Sequence, residues 1–413
     1  MSGTIRWESL RPWPAYLAAA TLPFSLAATN LFKLLMVLFA LVTLGIAFSR
    51  RTALPEFSRL RTPAMVALML AAMALSLLYT SAPMDEALHD LNKYSKLLLI
   101  PLVLVLVRSR REAVFALGLY VGAETFVLLT SYLLSMGWEA PWVLKPLSVR
   151  QSVGTVYSSY LDQSMMTAGL AALAWHLRRD FPGRYGVQVA IGVVVLAAVN
   201  VLLLLPGRSA QVALLAAMAL ALFWETPPRG RPAAVLIPLL LVAAVMALSP
   251  HFKGRVTMVA TESLAYMHGN REPTSSGTRL NLWQRSIEGI EEKPFWGHGV
   301  GSWPRVYGRL ERGESNPMFA NVRNPHEEYL LWGVQLGVGG IVLLLAFQAL
   351  MLRDISRFRH DVRYASYSMV AIFAVVCLFN SALFDALIGD YFCLLLGVLL
   401  ALGLYSPPLD GAA

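Results

Sequence analysis

Charge is scarce in this chain. Asp, Glu, Lys and Arg make up 14% of its 413 residues, against 57% hydrophobic. A soluble domain carries about a quarter of its residues as charged side chains, so this composition argues against one. Cysteine is scarcer still, with Cys377 and Cys393 alone, both inside apolar runs. That argues against a disulfide framework and against a thiolate metal centre. There is no nucleotide-binding glycine fingerprint and no strand, glycine-rich loop and helix to hold ATP or a nucleotide sugar. An activated donor must therefore already reside in the membrane or lie beyond it. Internal repeats and low-complexity tracts are also missing. The first apolar run lacks a small-x-small cleavage pattern and is followed by Asn30 and Lys33, so it is not read as a cleavable signal peptide.

What the chain has is apolar runs of about 18 to 25 residues, one after another, the mark of a polytopic α-helical membrane protein. Their pattern predicts roughly twelve spans. These fall near 13–29, 31–48, 63–81, 94–107, 113–136, 160–177, 186–205, 209–224, 232–249, 327–351, 364–384 and 387–405. One long polar stretch interrupts them. The expected organisation is a bundle of nine spans over 1–249, a loop domain with short helices over 250–326, and three further spans over 327–413.

The net charge of +9 would point to nucleic acid in a soluble protein. Here many arginines sit in short loops, where they set topology. Arg50, Arg51, Arg59, Arg61, Arg108, Arg110, Arg111, Arg178, Arg179, Arg184, Arg229, Arg231, Arg353, Arg357, Arg359 and Arg363 all fall on one side if Arg6 and Arg11 do. By the positive-inside rule that side is cytoplasmic, both termini included. The long loop then faces outward, together with Ser81 to Lys93 and Trp138 to Tyr160.

Several residues on that outer side have the chemistry for a site. Arg208 follows Pro206-Gly207 at the head of a span. A charge at membrane depth is costly, and a helix start offers free N–H groups to an anion; Ser209 is an expected cap. Arg279 follows Gly277-Thr278, with Thr278 the expected cap. A cation at a helix N-terminus calls for an anionic partner, and a guanidinium suits phosphate oxygens. Plain alternatives are a snorkelling Arg and a solvated one. Gly297, Gly299 and Gly301 alternate in Pro294–Trp303, which suits a tight turn or an anion nest. Trp296 and Trp303 suit sugar stacking or the membrane interface, and His298 reads as structural. His326 opens His326-Glu327-Glu328-Tyr329. It is either a general base or a capping, buried His. No second His stands four residues on, so a metal site is not expected. Lys33, Tyr79, Lys93, Lys96, Tyr157, Tyr160, Asp162, Gln163, Asp385 and Asp390 read as interfacial anchors or structural hydrogen-bonders.

Taken together, Gly207-Arg208-Ser209, Gly277-Thr278-Arg279 with Trp283, the Trp296–Gly301 turn, and His326 with Tyr329 resemble the bacterial O-antigen ligase family. Its superfamily also holds O-antigen polymerases and some protein O-oligosaccharyltransferases. The resemblance spans roughly 200–345. That family carries an amide or hydroxyl residue directly after the His, where this chain has Glu327. The resemblance implies an all-α, C-type glycosyltransferase of the bacterial inner membrane, inverting and metal-independent, with no cofactor. Its site would face the periplasm. It would move a polysaccharide from undecaprenyl diphosphate to lipid A–core, in lipopolysaccharide biosynthesis. By the same resemblance Arg208, Arg279 and His326 are catalytic, and Arg208, Arg279, Trp283, Trp296 and Tyr329 contact substrate. Membrane lipids are the further partners expected, and nucleic acid is not one. A polymerase or oligosaccharyltransferase of the superfamily is the nearest alternative. A secondary transporter is the alternative of another class.

Overall fold

The computed structural model describes residues 7–50, 59–143, 150, 152–248, 250–269, 274–311 and 322–406. Arg6 and Arg51 lie outside that range, as do 270–273 and 312–321 of the long loop. The described residues are mostly helical, with no strand among them. In hydrocarbon every backbone N–H and C=O must be satisfied within its own segment, and a helix does that.

In chain order the helices begin with α1 (Trp13–Thr21), α2 (Leu26–Ser49), α3 (Thr62–Leu75), α4 (Met84–Tyr94) and α5 (Leu99–Leu106). Next come α6 (Arg110–Ser135), α7 (Tyr160–His176), α8 (Gly186–Val199), α9 (Arg208–Glu225) and α10 (Ala233–Leu248). The polar stretch supplies α11 (Pro250–Met267), α12 (Ser275–Glu292) and α13 (Trp303–Leu310), and the chain closes with α14 (Glu328–Leu336), α15 (Val338–Ile355), α16 (His360–Phe379) and α17 (Ala386–Leu404). Seven helical stretches among the described residues are long and apolar enough to cross a membrane: Leu26–Ser49, Arg110–Ser135, Gly186–Leu204, Arg208–Glu225, Val338–Ile355, His360–Phe379 and Ala386–Leu404. Other expected spans are shorter or broken. The run near 13–29 divides at Ser25, whose hydroxyl accepts from the Ala28 amide and starts α2 afresh. The run near 327–351 divides at Gly337, whose φ of 68° ends α14.

Helix α17 is the axis of the bundle, its residues from Ile388 to Gly403 being buried. It packs on α5, α6, α7 and α16. At Gly397 a Cβ would lie 3.1 Å from Val103 and 3.2 Å from the Ile100 backbone, so a missing side chain sets the α5–α17 distance.

The two ends of the bundle differ in charge. At one end Asp180 pairs with Arg110 at 2.9 Å and Arg359 at 3.5 Å, and Arg178 pairs with Glu225 at 3.0 Å. The basic connections thus gather on one face. The starts of α7, α9 and α17 lie at the other end, about 25 Å away along α7 at 1.5 Å per residue.

Candidate active site

The site is built first by a break in a helix. Beyond α8 the chain winds into a wide turn over Asn200–Leu204, with the Leu205 amide donating to the Asn200 carbonyl at 2.9 Å. Pro206 then prevents helical continuation. Gln211 caps the break from below, its amide donating to the carbonyls of Val201 (3.2 Å), Leu202 (3.4 Å) and Leu205 (3.5 Å). Gly207 lies against α7 so closely that a Cβ would meet Ser164 Oγ at 2.1 Å. Arg208 is therefore delivered as the first residue of α9, beside the N-terminal turn of α7. Ser209 is not the cap expected of it. Gly207 holds that position, and the buried Ser209 hydroxyl has no hydrogen-bond partner among the described residues.

Arg279 comes from α12. The helix starts earlier than its sequence predicts: Thr274, not Thr278, is the cap, its hydroxyl accepting from the Gly277 amide at 3.1 Å. Glu262 of α11 accepts from the Ser276 amide at 2.9 Å and helps fix that register. Arg279 thus stands in the second turn of α12. The other flank of α12 is locked to α13. Tyr307 donates to Asn281 at 2.8 Å, while Asn281 and Arg285 both donate to Glu311, at 3.1 and 2.5 Å.

His326 comes from the approach to α14. Its amide donates to Asn324 Oδ1 at 2.9 Å, and its φ is 52°. Among the described residues it is the one non-glycine residue in the left-handed region, a conformation that persists only where the surroundings enforce it. The enforcement follows on both sides. Pro325 precedes it, and Glu327 caps α14 through the Leu330 amide. Glu328 is fully buried and accepts from Trp332 Nε1 at 2.8 Å and from the Leu383 amide at 2.8 Å.

These three residues share one electrostatic environment. Burial first, then the Arg208 charge, pulls the Arg279 guanidinium down from its ordinary pKa, and Tyr160 opposes that. Burial first, then the Arg279 charge, pulls the His326 imidazole down from its own. So Arg279 lies within electrostatic reach of Arg208 on one side and His326 on the other. Among the described residues neither Arg208 nor Arg279 forms an ion pair, whereas Arg11, Arg285 and Arg359 each pair with carboxylates. The lowered pKa of His326 beside Arg279 favours the neutral imidazole at neutral pH.

The other expected contacts are distributed differently. Trp283 is half-buried on α12, and its indole N–H meets no acceptor among the described residues. Tyr329 turns into the bundle, its hydroxyl exchanging hydrogen bonds with Gln348 at 2.8–3.1 Å. Trp296 is 74% exposed, and Trp303 is buried in the core. The glycine turn is no anion nest in its middle: the His298, Gly299 and Val300 amides donate to Val334 O, Gln335 O and Ser76 Oγ. His298 is structural, bound to Gly289 O at 2.9 Å.

A cavity of about 430 Å³ opens beside the N-terminus of α7, lined by Tyr157, Ser158, Ser159, Asp162, Asn380 and Asp385 among others. Burial, with Asp162 adding to it, pushes the Asp385 carboxyl up to about 6. The residues that sequence reasoning overlooked are Gln211 and Asn324, the clamps on the Arg208 and His326 backbones. Their signals are an amide shortly after Pro-Gly, and the Asn-Pro dipeptide.

This is a helical integral membrane protein with two half-buried guanidinium groups that form no ion pair among the described residues, one of them within electrostatic reach of the His326 imidazole. Residues 192–345 match the O-antigen ligase family model, so this segment of the chain is similar to that family. Arg208, Arg279 and His326 all fall within the matched segment. An uncharacterized protein of Haemophilus influenzae is 25% identical over 100 residues, 24% of this chain and 25% of that protein. The match thus spans about a quarter of the length of that relative.

Proposed function

We propose that this protein is an O-antigen ligase, transferring polysaccharide from undecaprenyl diphosphate to lipid A–core on the periplasmic face of the inner membrane. The observation that supports the reading is that Arg208 and Arg279 lie within electrostatic reach of each other and that neither forms an ion pair among the described residues. Such an arrangement is repulsive until an anion enters, and a diphosphate oxygen accepts from guanidinium donors. Lipid-linked donors also agree with a chain that has no nucleotide-binding fold.

The chemistry is a single displacement. An acceptor hydroxyl oxygen attacks the anomeric carbon of the donor sugar. The bond from that carbon to the phosphate oxygen breaks, and its electron pair leaves with the diphosphate. Arg208 and Arg279 stabilise the developing negative charge, a role that fixed cations in a water-poor site perform well. The hydroxyl proton passes to a nitrogen of the His326 imidazole. One displacement inverts the anomeric configuration. The cavity beside α7, with its hydroxyls and the Asp162 and Asp385 carboxyls, suits the hydroxyl-rich acceptor. Its acidity disfavours the diphosphate, so donor and acceptor are sorted by charge. Topology supports the orientation, since the basic connections gather at the opposite end of the bundle.

The test is transfer in vitro with purified protein, undecaprenyl-diphosphate glycan and rough lipopolysaccharide. Arg208→Ala and Arg279→Ala are each expected to abolish transfer while the protein still inserts and folds; wild-type rates in both would refute the diphosphate role. Cells lacking the protein separate ligase from polymerase. Loss of a ligase leaves polymer on the carrier and bare core, whereas loss of a polymerase leaves a single repeat on the core.

A further inference from the structure

Phe295 and Trp296 are large, apolar and almost bare, 83% and 74% exposed. They sit on a turn that is rigidly held. The Val338 amide, at the first residue of α15, donates to Pro294 O at 2.7 Å, and a Cβ on Gly337 would meet that same oxygen at 2.3 Å. On its far side the turn is stitched to the connection between α3 and α4. Thr80 donates to Val300 O at 2.7 Å, and the Ser81 amide donates to His298 O at 2.9 Å.

Both supporting helices carry bare apolar faces that run up to this turn. On α15, Val338, Val342 and Leu345 are 50%, 56% and 49% exposed. They follow i, i+4, i+7 and therefore share one face. On α3 and the turn after it, Leu68, Leu75 and Leu78 are 54%, 62% and 85% exposed. Helices α3 and α15 pack together, and α15 is one of the stretches able to cross a membrane. Phe295 and Trp296 thus continue the lipid-facing surface to the level where the helices end, which is where aromatic side chains gather in membrane proteins. The exposed Lys293 beside them has the long cationic side chain that reaches phospholipid headgroups.

We propose that the Phe295–Trp296 turn is a membrane anchor, inserted at the boundary between headgroups and acyl chains. Its partner is the phospholipid surface, not a sugar face. The same turn donates to the Val334 and Gln335 carbonyls of α14 and follows directly on α12. The anchor therefore sets the height above the bilayer of the two helices that carry Arg279 and follow His326. This inference rests on the membrane-spanning helices alone and holds whatever the protein transfers.

The full-length protein is reconstituted in phosphatidylethanolamine–phosphatidylglycerol vesicles in which a fraction of the acyl chains is brominated, either near the glycerol or near the methyl end. The Trp296 signal is the emission of wild type minus that of Trp296→Phe, since the chain has 10 tryptophans. The expected result is a blue-shifted component that loses most of its intensity to bromine near the glycerol and little to aqueous iodide. A component quenched by iodide and untouched by either bromolipid overturns the anchor. A spin label on Phe295→Cys repeats the test independently, because Cys377 and Cys393 are buried. Oxygen should relax that label more than a water-soluble nickel chelate does, and the reverse order would sink the proposal.

Discussion

The carboxylate of Glu328 accepts a hydrogen bond from the Leu383 amide at 2.8 Å, joining residues 55 positions apart in sequence. It also takes the Phe384 amide and the Trp332 indole. One buried side chain thus fastens the His326 approach to the turn between α16 and α17. Replacing Glu328 with Ala leaves these buried donors unmatched, at a cost of about 1–3 kcal/mol for such a group. We expect a lower melting temperature in detergent and a loss of transfer for Glu328→Ala. Glu328→Gln, which keeps an acceptor oxygen, should fall between that variant and wild type.

Lys33 and Asp390 form an ion pair at 2.6 Å between α2 and α17, with Asp390 only 1% exposed. Removing one partner strands the other charge. Lys33→Ala should therefore destabilise the protein by about 3–5 kcal/mol. The double variant Lys33→Met with Asp390→Leu should recover most of that loss. Thermal melts of the three proteins check the pair, and a double variant as unstable as the single one would contradict it.

Burial and the Arg279 charge hold the His326 imidazole below its ordinary value of 6.5. A base must be unprotonated to accept the hydroxyl proton, so activity should fall as pH drops through that lowered value. The acid limb of the kcat/KM profile is then expected below pH 6.5. Removing the neighbouring cation acts in the opposite sense: Arg279→Gln should raise the His326 pKa. Proton NMR of the imidazole, in wild type and variant, reads this directly.

Gly207 faces Ser164 so closely that a Cβ would sit 2.1 Å from the hydroxyl and 3.0 Å from Ser164 Cβ. Gly207→Ala should push α9 from α7, displace Arg208, and reduce transfer, with overpacking costing about 1–3 kcal/mol. Adding Ser164→Gly makes room and should restore much of both. Equal activity of Gly207→Ala and wild type would show that the contact yields without moving Arg208.

Apolar length made many helices legible from sequence. The expected 160–177, 209–224 and 387–405 became Tyr160–His176, Arg208–Glu225 and Ala386–Leu404. Hydropathy does not sense backbone breaks, which is why Ser25 and Gly337 went unread. The candidate residues Arg208, Arg279 and His326 stood out in the sequence because their residue types are costly or unusual where they stand, and the fold brings Arg279 within electrostatic reach of the other two. Cap register was not legible. Thr274 and Thr278 are equivalent as local signals, and the Glu262 carboxylate from α11, a tertiary contact, accompanies the earlier choice. Trp296 and Tyr329 show the same limit, since an aromatic residue in a loop or at a helix start does not declare which way it faces.

The burial of α17 has a consequence for how the chain is made. Helices leave the ribosome in order, yet α5 (Leu99–Leu106) and α6 (Arg110–Ser135) lean on α17, which starts only at Ala386. Until it arrives, Lys33 has no Asp390 to answer it, and the crevice that Gly397 will occupy stays vacant. The early helices must wait in the bilayer as a half-finished cage, closed only when its central post is driven in.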